Sequence, residues 1–470
     1  MILSVNTLPA SKLEPDLIFI NMADLHSSYD NFPGVLGRVQ ALVQEYENAV
    51  THIILNGDLF EQGNLCTART QGAVDWFFLE QLRACAPVIY NIGNHEFDFL
   101  EPQDFLAEAR ARDIIVMSNM LVDGQPLAPA SYHFTATDKD ADKDADKNAD
   151  KNIALVAVAT NQDFTYPEHL RPRLTLPDPG TWFADNYQQL IEGSDYNVVI
   201  SHAGVVADVA MMAQLPDTRK HLFVVGGHDH LNFRKYVSGR SYLHNGFKAE
   251  KINLVKVSFV EDAAWISFQD YPIDPINELG TIVNSHNPPN PQFTNTAALI
   301  ERIQQVRQDT LTPKDLEPIG TLPRDFNVQE AINWAIETVK NELGVDVAIL
   351  NHTSFGAGLP EGDLPRYRFD EFLRFDSDLM QATVDSDTLQ QILSHANQNA
   401  YTLLKERTGD FIYTNNIDPQ PDQHYAIVTS SWVAMPFNLE RYLSTDDIHF
   451  EKVEGITLKA LLQTALHYGW

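Results

Sequence analysis

Cysteine is nearly missing from this chain: Cys66 and Cys85 are the only two in 470 residues. That is too few for a disulfide framework, and free thiols are the expectation. Long apolar runs are missing as well. No stretch approaches the roughly 18 apolar residues that a membrane-spanning helix requires. The opening segment MILSVNTLPASKLEPD lacks both the basic n-region and the full apolar h-region of a secretory signal. As written, the chain is expected in the cytoplasm, with a periplasmic or extracellular location as the alternative if a signal was removed. Positive charge is scarce too, with 33 Lys and Arg against 64 Asp and Glu and a net charge of −31. There is no basic surplus to displace counterions from a nucleic-acid backbone or to hold an anionic membrane surface. Neither nucleic acid nor membrane is an expected partner, and oligomeric state leaves no trace in the sequence.

Apolar residues make up 44% of the chain, ample for more than one core. At this length a single core is seldom sufficient, so two domains are the default expectation. Five short clusters of metal-binding residue types follow one another in the first half: Asp24-Leu25-His26, Gly57-Asp58, Gly93-Asn94-His95-Glu96, Ser201-His202 and Gly227-His228-Asp229-His230. Each follows an apolar, largely β-branched run: LIFIN, HIILN, VIYNI, NVVI and LFVV. Five strands would therefore deliver these side chains to one sheet edge, where α/β proteins place their sites.

The residue types suit a particular chemistry. In-line displacement at phosphorus is assisted by two cations roughly 3.5–4 Å apart, and borderline divalent metals accept imidazole and carboxylate together. His52, His133, His221 and His244 lack partners at ligand spacing and read as core or edge histidines. Glu96 reads as structural. The repeat TDKDADKDADKNADKN, from Thr137 to Asn152, spaces its carboxylates like a calcium loop. It lacks the mid-loop glycine and terminal glutamate, and its lysines would repel a cation, so a solvated insertion between two strands is expected.

The D-x-H, G-D, G-N-H-E, H and G-H-x-H elements resemble those of the calcineurin-like metallophosphoesterases, and Gly93-Asn94-His95-Glu96-Phe97-Asp98 resembles the variant of the 5′-nucleotidase branch. The resemblance implies an α/β (α+β) chain, with an N-terminal four-layer α/β/β/α sandwich and a smaller C-terminal α/β substrate domain. Residues 1–290 would form the catalytic domain, 291–318 a linker helix and 319–470 the second domain. It implies two divalent ions, Mn, Zn, Fe or Co. Asp24, His26 and His230 would hold one, Asn94, His202 and His228 the other, and Asp58 would bridge them. His95 would be the catalytic histidine and Asp98 its partner, with a metal-bridging hydroxide as nucleophile.

In the last third, helical patterns such as NVQEAINWAIETVKNEL alternate with strand-like DVAIL and HYAIVTS, as in a second α/β domain. Asn351 stands where the family's N-G-G-G-I-R motif opens, but the motif's arginine position is Gly356. Arg366, Arg368 and Arg374 are candidate replacements. Phe411 is the candidate for the first of the rings between which this family stacks a base, and Phe437 or Tyr442 for the second. The expected function is hydrolysis of a small phosphorylated substrate, nucleoside 5′-monophosphates first. The alternatives are cyclic nucleotides, nucleotide sugars or a sulfur-oxoanion substrate at the same centre, or a non-catalytic metal-binding protein.

Overall fold

The computed structural model describes residues 14–137, 150–215, 220–260, 263–273, 294–398, 402–403, 407–409 and 411–468. The chain divides into two compact units, Met1–Glu61 with Cys66–Asp309, and Gln62–Leu65 with Thr310–Trp470. Residues 138–149 of the Asp/Lys repeat lie outside the described residues, as do 1–13 and 274–293. The strands that flank the repeat, Ser131–Thr137 and Asp150–Ala159, pair antiparallel.

In the first unit the described residues form two six-stranded sheets. One runs in the order Ala263–Pro272, Lys251–Val260, Leu17–Ala23, Val50–Asn56, Val88–Asn91, Ile115–Met117. The other runs Asn232–Val237, Arg240–Asn245, His221–Gly226, Tyr196–His202, Asp150–Ala159, Ser131–Thr137. Strand Leu17–Ala23 is buried at all seven positions, because its two faces bury against different layers. Leu17 and Phe19 join Ile54 and Ile89 in a core shared with Leu155, Val198, Ile200, Phe223 and Val225 of the facing sheet. Helices Phe32–Glu45 and Ala73–Cys85 pack together beside the first sheet, and Pro179–Leu190 and Val205–Gln214 beside the second. The result is the four-layer α/β/β/α sandwich. Helix Thr294–Thr310 packs on this unit too, with Arg307 Nη2 2.7 Å from Asp30 Oδ1.

The second unit centres on a five-stranded sheet ordered Ile412–Thr414, Val347–Asn351, His424–Ser430, Asp378–Asp385, Glu451–Thr457. Ala348, Leu350 and Val428 face a core with Ile332, Ile336 and Leu462, whereas Val347, Ile349 and Ile427 face Leu389, Ile392 and Leu439. Helices therefore cover both faces. Helix Val328–Leu343 opens on a capping box between Asn327 and Glu330 and stops at Gly344, whose φ of +63° suits a residue without a Cβ. Among the described residues no helix is long and apolar enough to cross a membrane.

Candidate metal centre

Parallel pairing brings the five clusters together. Leu17–Ala23, Val50–Asn56 and Val88–Asn91 run parallel, with Ala23 beside Asn56 and Asn56 beside Asn91, so the loops that follow emerge at one edge. In the facing sheet Tyr196–His202 and His221–Gly226 are likewise parallel. Two of the apolar runs end in a buried asparagine and a third carries one next to its end, and two of these three, Asn56 and Asn91, tie the sheets together. Asn56 Nδ2 donates to Ser201 O at 2.8 Å, and Asn91 Nδ2 to Asn56 Oδ1 at 2.9 Å and Val158 O at 3.0 Å. Buried amides with this many partners hold the edge where the ligand candidates stand.

Asp24, His26, Asp58 and His230 present ligand atoms that lie within 4.8 Å of one another, and so do Asp58, His202 and His228, with Asp58 common to both groups. Asn94 adjoins the second group, its Oδ1 2.9 Å from His228 Nδ1. Asp58 Oδ1 accepts the backbone N–H groups of Asn94 and His95 at 2.9 and 3.0 Å, which turns Oδ2 toward His202. Asp24 Oδ1 accepts the N–H of His228 at 2.9 Å. Asp24, His26, Asp58, His228 and His230 have φ between +46° and +78°, a left-handed conformation that costs a side-chain-bearing residue about 1–3 kcal/mol. Such strain persists only where the surroundings impose it. Glu96 supplies part of that constraint, because its carboxylate accepts the N–H of Leu59 at 2.9 Å, the N–H of Gly93 at 2.6 Å and the hydroxyl of Tyr90 at 2.7 Å.

These groups fit divalent ions. His26 Nε2 and His230 Nε2 face each other at 2.8 Å, and His202 Nε2 lies 3.1 Å from Asp58 Oδ2 and 3.8 Å from Asp24 Oδ1 without a hydrogen-bond partner. Donor atoms turned inward on one another are what a cation would satisfy. The charges agree. Burial, reinforced by Asp58, pushes Asp24 well above the ordinary carboxylate range, whereas against burial the imidazoles of His202 and His95 hold Asp58 well below it. Burial alone would lower His202, yet Asp58 and Asp24 push it up to about 10. Asp58, held ionised among these rings, thus draws positive charge into the centre.

His95 stands beside this group, its ring centroid 5.2 Å from that of His26. Its Nδ1 is 2.8 Å from Asp98 Oδ2, and its side chain is 20% exposed. Burial opposes charge on this ring, but Asp98 and Asp58 push it up to about 10. The remaining histidines behave differently. His244 bonds Tyr242 Oη at 2.7 Å, His221 bonds Tyr187 Oη at 2.6 Å, and His133 is exposed on its strand. His52 is buried against Phe134, and its Nδ1 has no hydrogen-bond partner. Three residues at the centre carried no signal in sequence: Glu61, 3.4 Å from His26 Nδ1; Lys248, which donates to His26 O at 3.1 Å; and Gln162, 3.4 Å from His228 Nε2.

In the second unit Asn351 ends its strand buried, its amide donating to Thr353 Oγ1 at 2.8 Å and accepting from Ser354 Oγ at 2.9 Å. Phe411 is 5% exposed and stacks on His352 with centroids 4.5 Å apart, while Phe437 is 65% exposed beside Trp432. A Cβ at Gly356 would collide with the backbone oxygen of Glu371 and meet Arg374 Cγ and Cδ at 3.1 and 3.2 Å. Packing thus excludes a side chain at the motif's arginine position. Arg374 runs past it and donates from Nη2 to Thr353 O at 2.6 Å. Arg366 instead reaches toward Glu317 and Gln463, and Arg368 pairs with Glu371.

The calcineurin-like phosphoesterase family model matches residues 18–232. No curated protein matches the chain by sequence. Among solved structures, a 5′-nucleotidase precursor from Thermus thermophilus is similar with a TM-score of 0.63 and 15% identity over 96% of each chain. The 5′-nucleotidase of Candida albicans gives 0.63 and 13%, over 97% of this chain and 99% of the other. The Thermus thermophilus sulfate thiohydrolase SoxB gives 0.65 and 12%, over 98% and 95%. At these identities the likeness is one of fold.

Proposed function

Because residues 18–232 form a calcineurin-like phosphoesterase domain, we propose that the protein is a divalent-metal-dependent phosphoester hydrolase that releases phosphate from nucleoside 5′-monophosphates. The observation that carries this reading is the convergence of the two ligand groups on a shared Asp58, with the His95–Asp98 pair beside them. Asp24, His26 and His230 would hold one ion, Asn94, His202 and His228 the second, and Asp58 both. When bound, two divalent ions supply Lewis acidity, drawing charge from phosphoryl oxygens and acidifying water.

The chain's own part follows from its geometry. Asp98 accepts the Nδ1 proton and fixes the His95 ring, and the neighbouring carboxylates favour the doubly protonated imidazolium, whose Nε2 proton would pass to the leaving alkoxide. Backbone N–H groups of Asn94 and His95 hold Asp58 in one orientation, which spares the centre reorganisation during the reaction. The exposed ring of Phe437 offers a face for a base, and a stacked pair is worth about 0.5–1.5 kcal/mol beyond its buried area. Arg374 supplies the cation beside the Asn351–Gly356 loop. A second reading, in which the substrate is a sulfur-oxoanion ester, is supported by the fold shared with the sulfate thiohydrolase SoxB.

The test is hydrolysis by Mn²⁺-loaded protein of 5′-nucleotides and an aryl phosphate, read as inorganic phosphate, of cyclic nucleotides and nucleotide sugars, read as the nucleoside monophosphate formed, and of a thiosulfate ester, read as sulfate, with His95→Ala as control. Turnover of 5′-nucleotides that the control loses by about 100-fold or more is the expected result. Turnover of aryl phosphate alone would refute the nucleotide assignment and keep the hydrolase. No turnover by protein holding two metals would refute both.

A further inference from the structure

The histidines of the centre are not backed alike. His202 turns Nδ1 to the backbone carbonyl of Asn56 at 2.8 Å. His228 has Nδ1 beside Asn94 and Nε2 3.4 Å from the carboxamide oxygen of Gln162. His26 has Nε2 toward His230, while its Nδ1 faces Glu61 Oε2 at 3.4 Å, between side chains 0% and 2% exposed. That separation is long for a hydrogen bond but within ion-pair reach. One group of ligands is therefore backed by a full carboxylate and the other by neutral oxygens.

Glu61 is itself braced. Lys248 Nζ lies 3.9 Å from Glu61 Oε2 and donates to His26 O at 3.1 Å. The Lys248 backbone N–H donates to Asp24 O at 2.7 Å, and its carbonyl accepts Asn31 Nδ2 at 2.7 Å. Lys248 and Ala249 hold left-handed φ of +56° and +55°, a cost that two successive side-chain-bearing residues carry only when neighbours over-determine the turn. The segment is clamped across the Asp24–His26 turn, and its ammonium is laid beside the carboxylate.

We propose that Glu61, braced by Lys248, is a positioning residue that makes the Asp24/His26/His230 position the tighter of the two metal positions, so that the centre fills in two unequal steps. The inference rests on the two-metal reading above. A carboxylate facing the outward ring nitrogen fixes the tautomer and rotation that leave Nε2 for the ion, and it raises the basicity of the ring. Loss of such a partner costs about 10–100-fold in metal affinity. A neutral oxygen orients its ring equally well but donates less charge.

The experiment follows Mn²⁺ binding to apoprotein by the electron paramagnetic resonance signal of the free ion, with the melting temperature of each apoprotein recorded alongside. Wild type should bind two equivalents in separate steps. Glu61→Gln should weaken the tighter step about 10–100-fold and leave the weaker within threefold. Gln162→Leu should touch only the weaker step. Lys248→Met keeps the carboxylate unbraced and should weaken the tighter step as well, which decides the matter if Glu61→Gln does not fold. Equal weakening of both steps, or neither, in the folded variants would overturn the role of Glu61 while leaving two metals intact. A wild type that binds no Mn²⁺ would overturn the two-metal reading and this inference with it.

Discussion

Gly93→Ala places one methyl group in the most crowded part of the centre. The new Cβ would lie 2.8 Å from the backbone nitrogen of Asp58 and 2.9 Å from His202 Nε2, and would collide with Asp58 Oδ1. The first of these atoms is main chain and cannot swing away. Ordinary contact then requires a shift of roughly 0.5 Å in either the Gly93 loop or the Asp58 loop. Gly93 does not hold a left-handed φ, so alanine is excluded by contact and not by backbone conformation. Overpacking of this kind costs about 1–3 kcal/mol, a drop of a few degrees in melting temperature for a unit of this size. The functional loss is larger, because Gly93 N–H holds Glu96 Oε2 at 2.6 Å and the neighbouring N–H groups hold Asp58. A displacement of up to about 1 Å can cost about 100-fold in rate. The assay is kcat/KM toward an aryl phosphate, with bound Mn²⁺ counted and thermal melting followed. Gly180→Ala is the control, since its methyl meets first the end of Gln214 at 3.2 Å. Should Gly93→Ala keep more than a tenth of wild-type kcat/KM with both metals bound, the claim that this close approach sets the ligand geometry is wrong.

Burial holds His52 down at about 4, below its value of about 6.5 in an unfolded chain. The neutral ring therefore contributes stability that is fully present above pH 6.5 and lost as pH falls toward 4, about 3 kcal/mol in all. His52→Phe should flatten the decline of the first unit's stability over that window, measured by urea unfolding at several pH values; an unchanged slope would contradict the burial argument. Asn327→Ala removes the side chain that accepts from Glu330 N–H at 3.0 Å and should cost the second unit about 1 kcal/mol, with a range of 0.5–2. Chemical denaturation showing no loss would mean that the capping box is not holding that helix.

Local pattern went far in this chain because its informative stretches are short and repetitive. Continuous apolar runs marked the strands before Asp24, Asp58, Asn94, His202 and His228, since strands covered on both faces have no polar side to show. The helical spacing of apolar residues in NVQEAINWAIETVKNEL likewise made Val328–Leu343 legible. Other features had no local signature. Phe411 and Phe437 look alike in sequence, yet one is stacked on His352 and the other is open to solvent. Nothing near Gly356 in the sequence announces that Arg374 fills its space.

What the sequence by itself determined was the order of the clusters and the strands that carry them, because alternation, apolar runs and capping are properties of neighbouring residues. What only the tertiary structure decided was which side chains back the candidate ligands and how closely. Glu61 and Lys248 meet His26 from distant parts of the chain, and Gly93 matters because two separate loops pass within van der Waals contact of it. Those distances are set by how two sheets pack face to face, a long-range steric outcome that no window of sequence encodes.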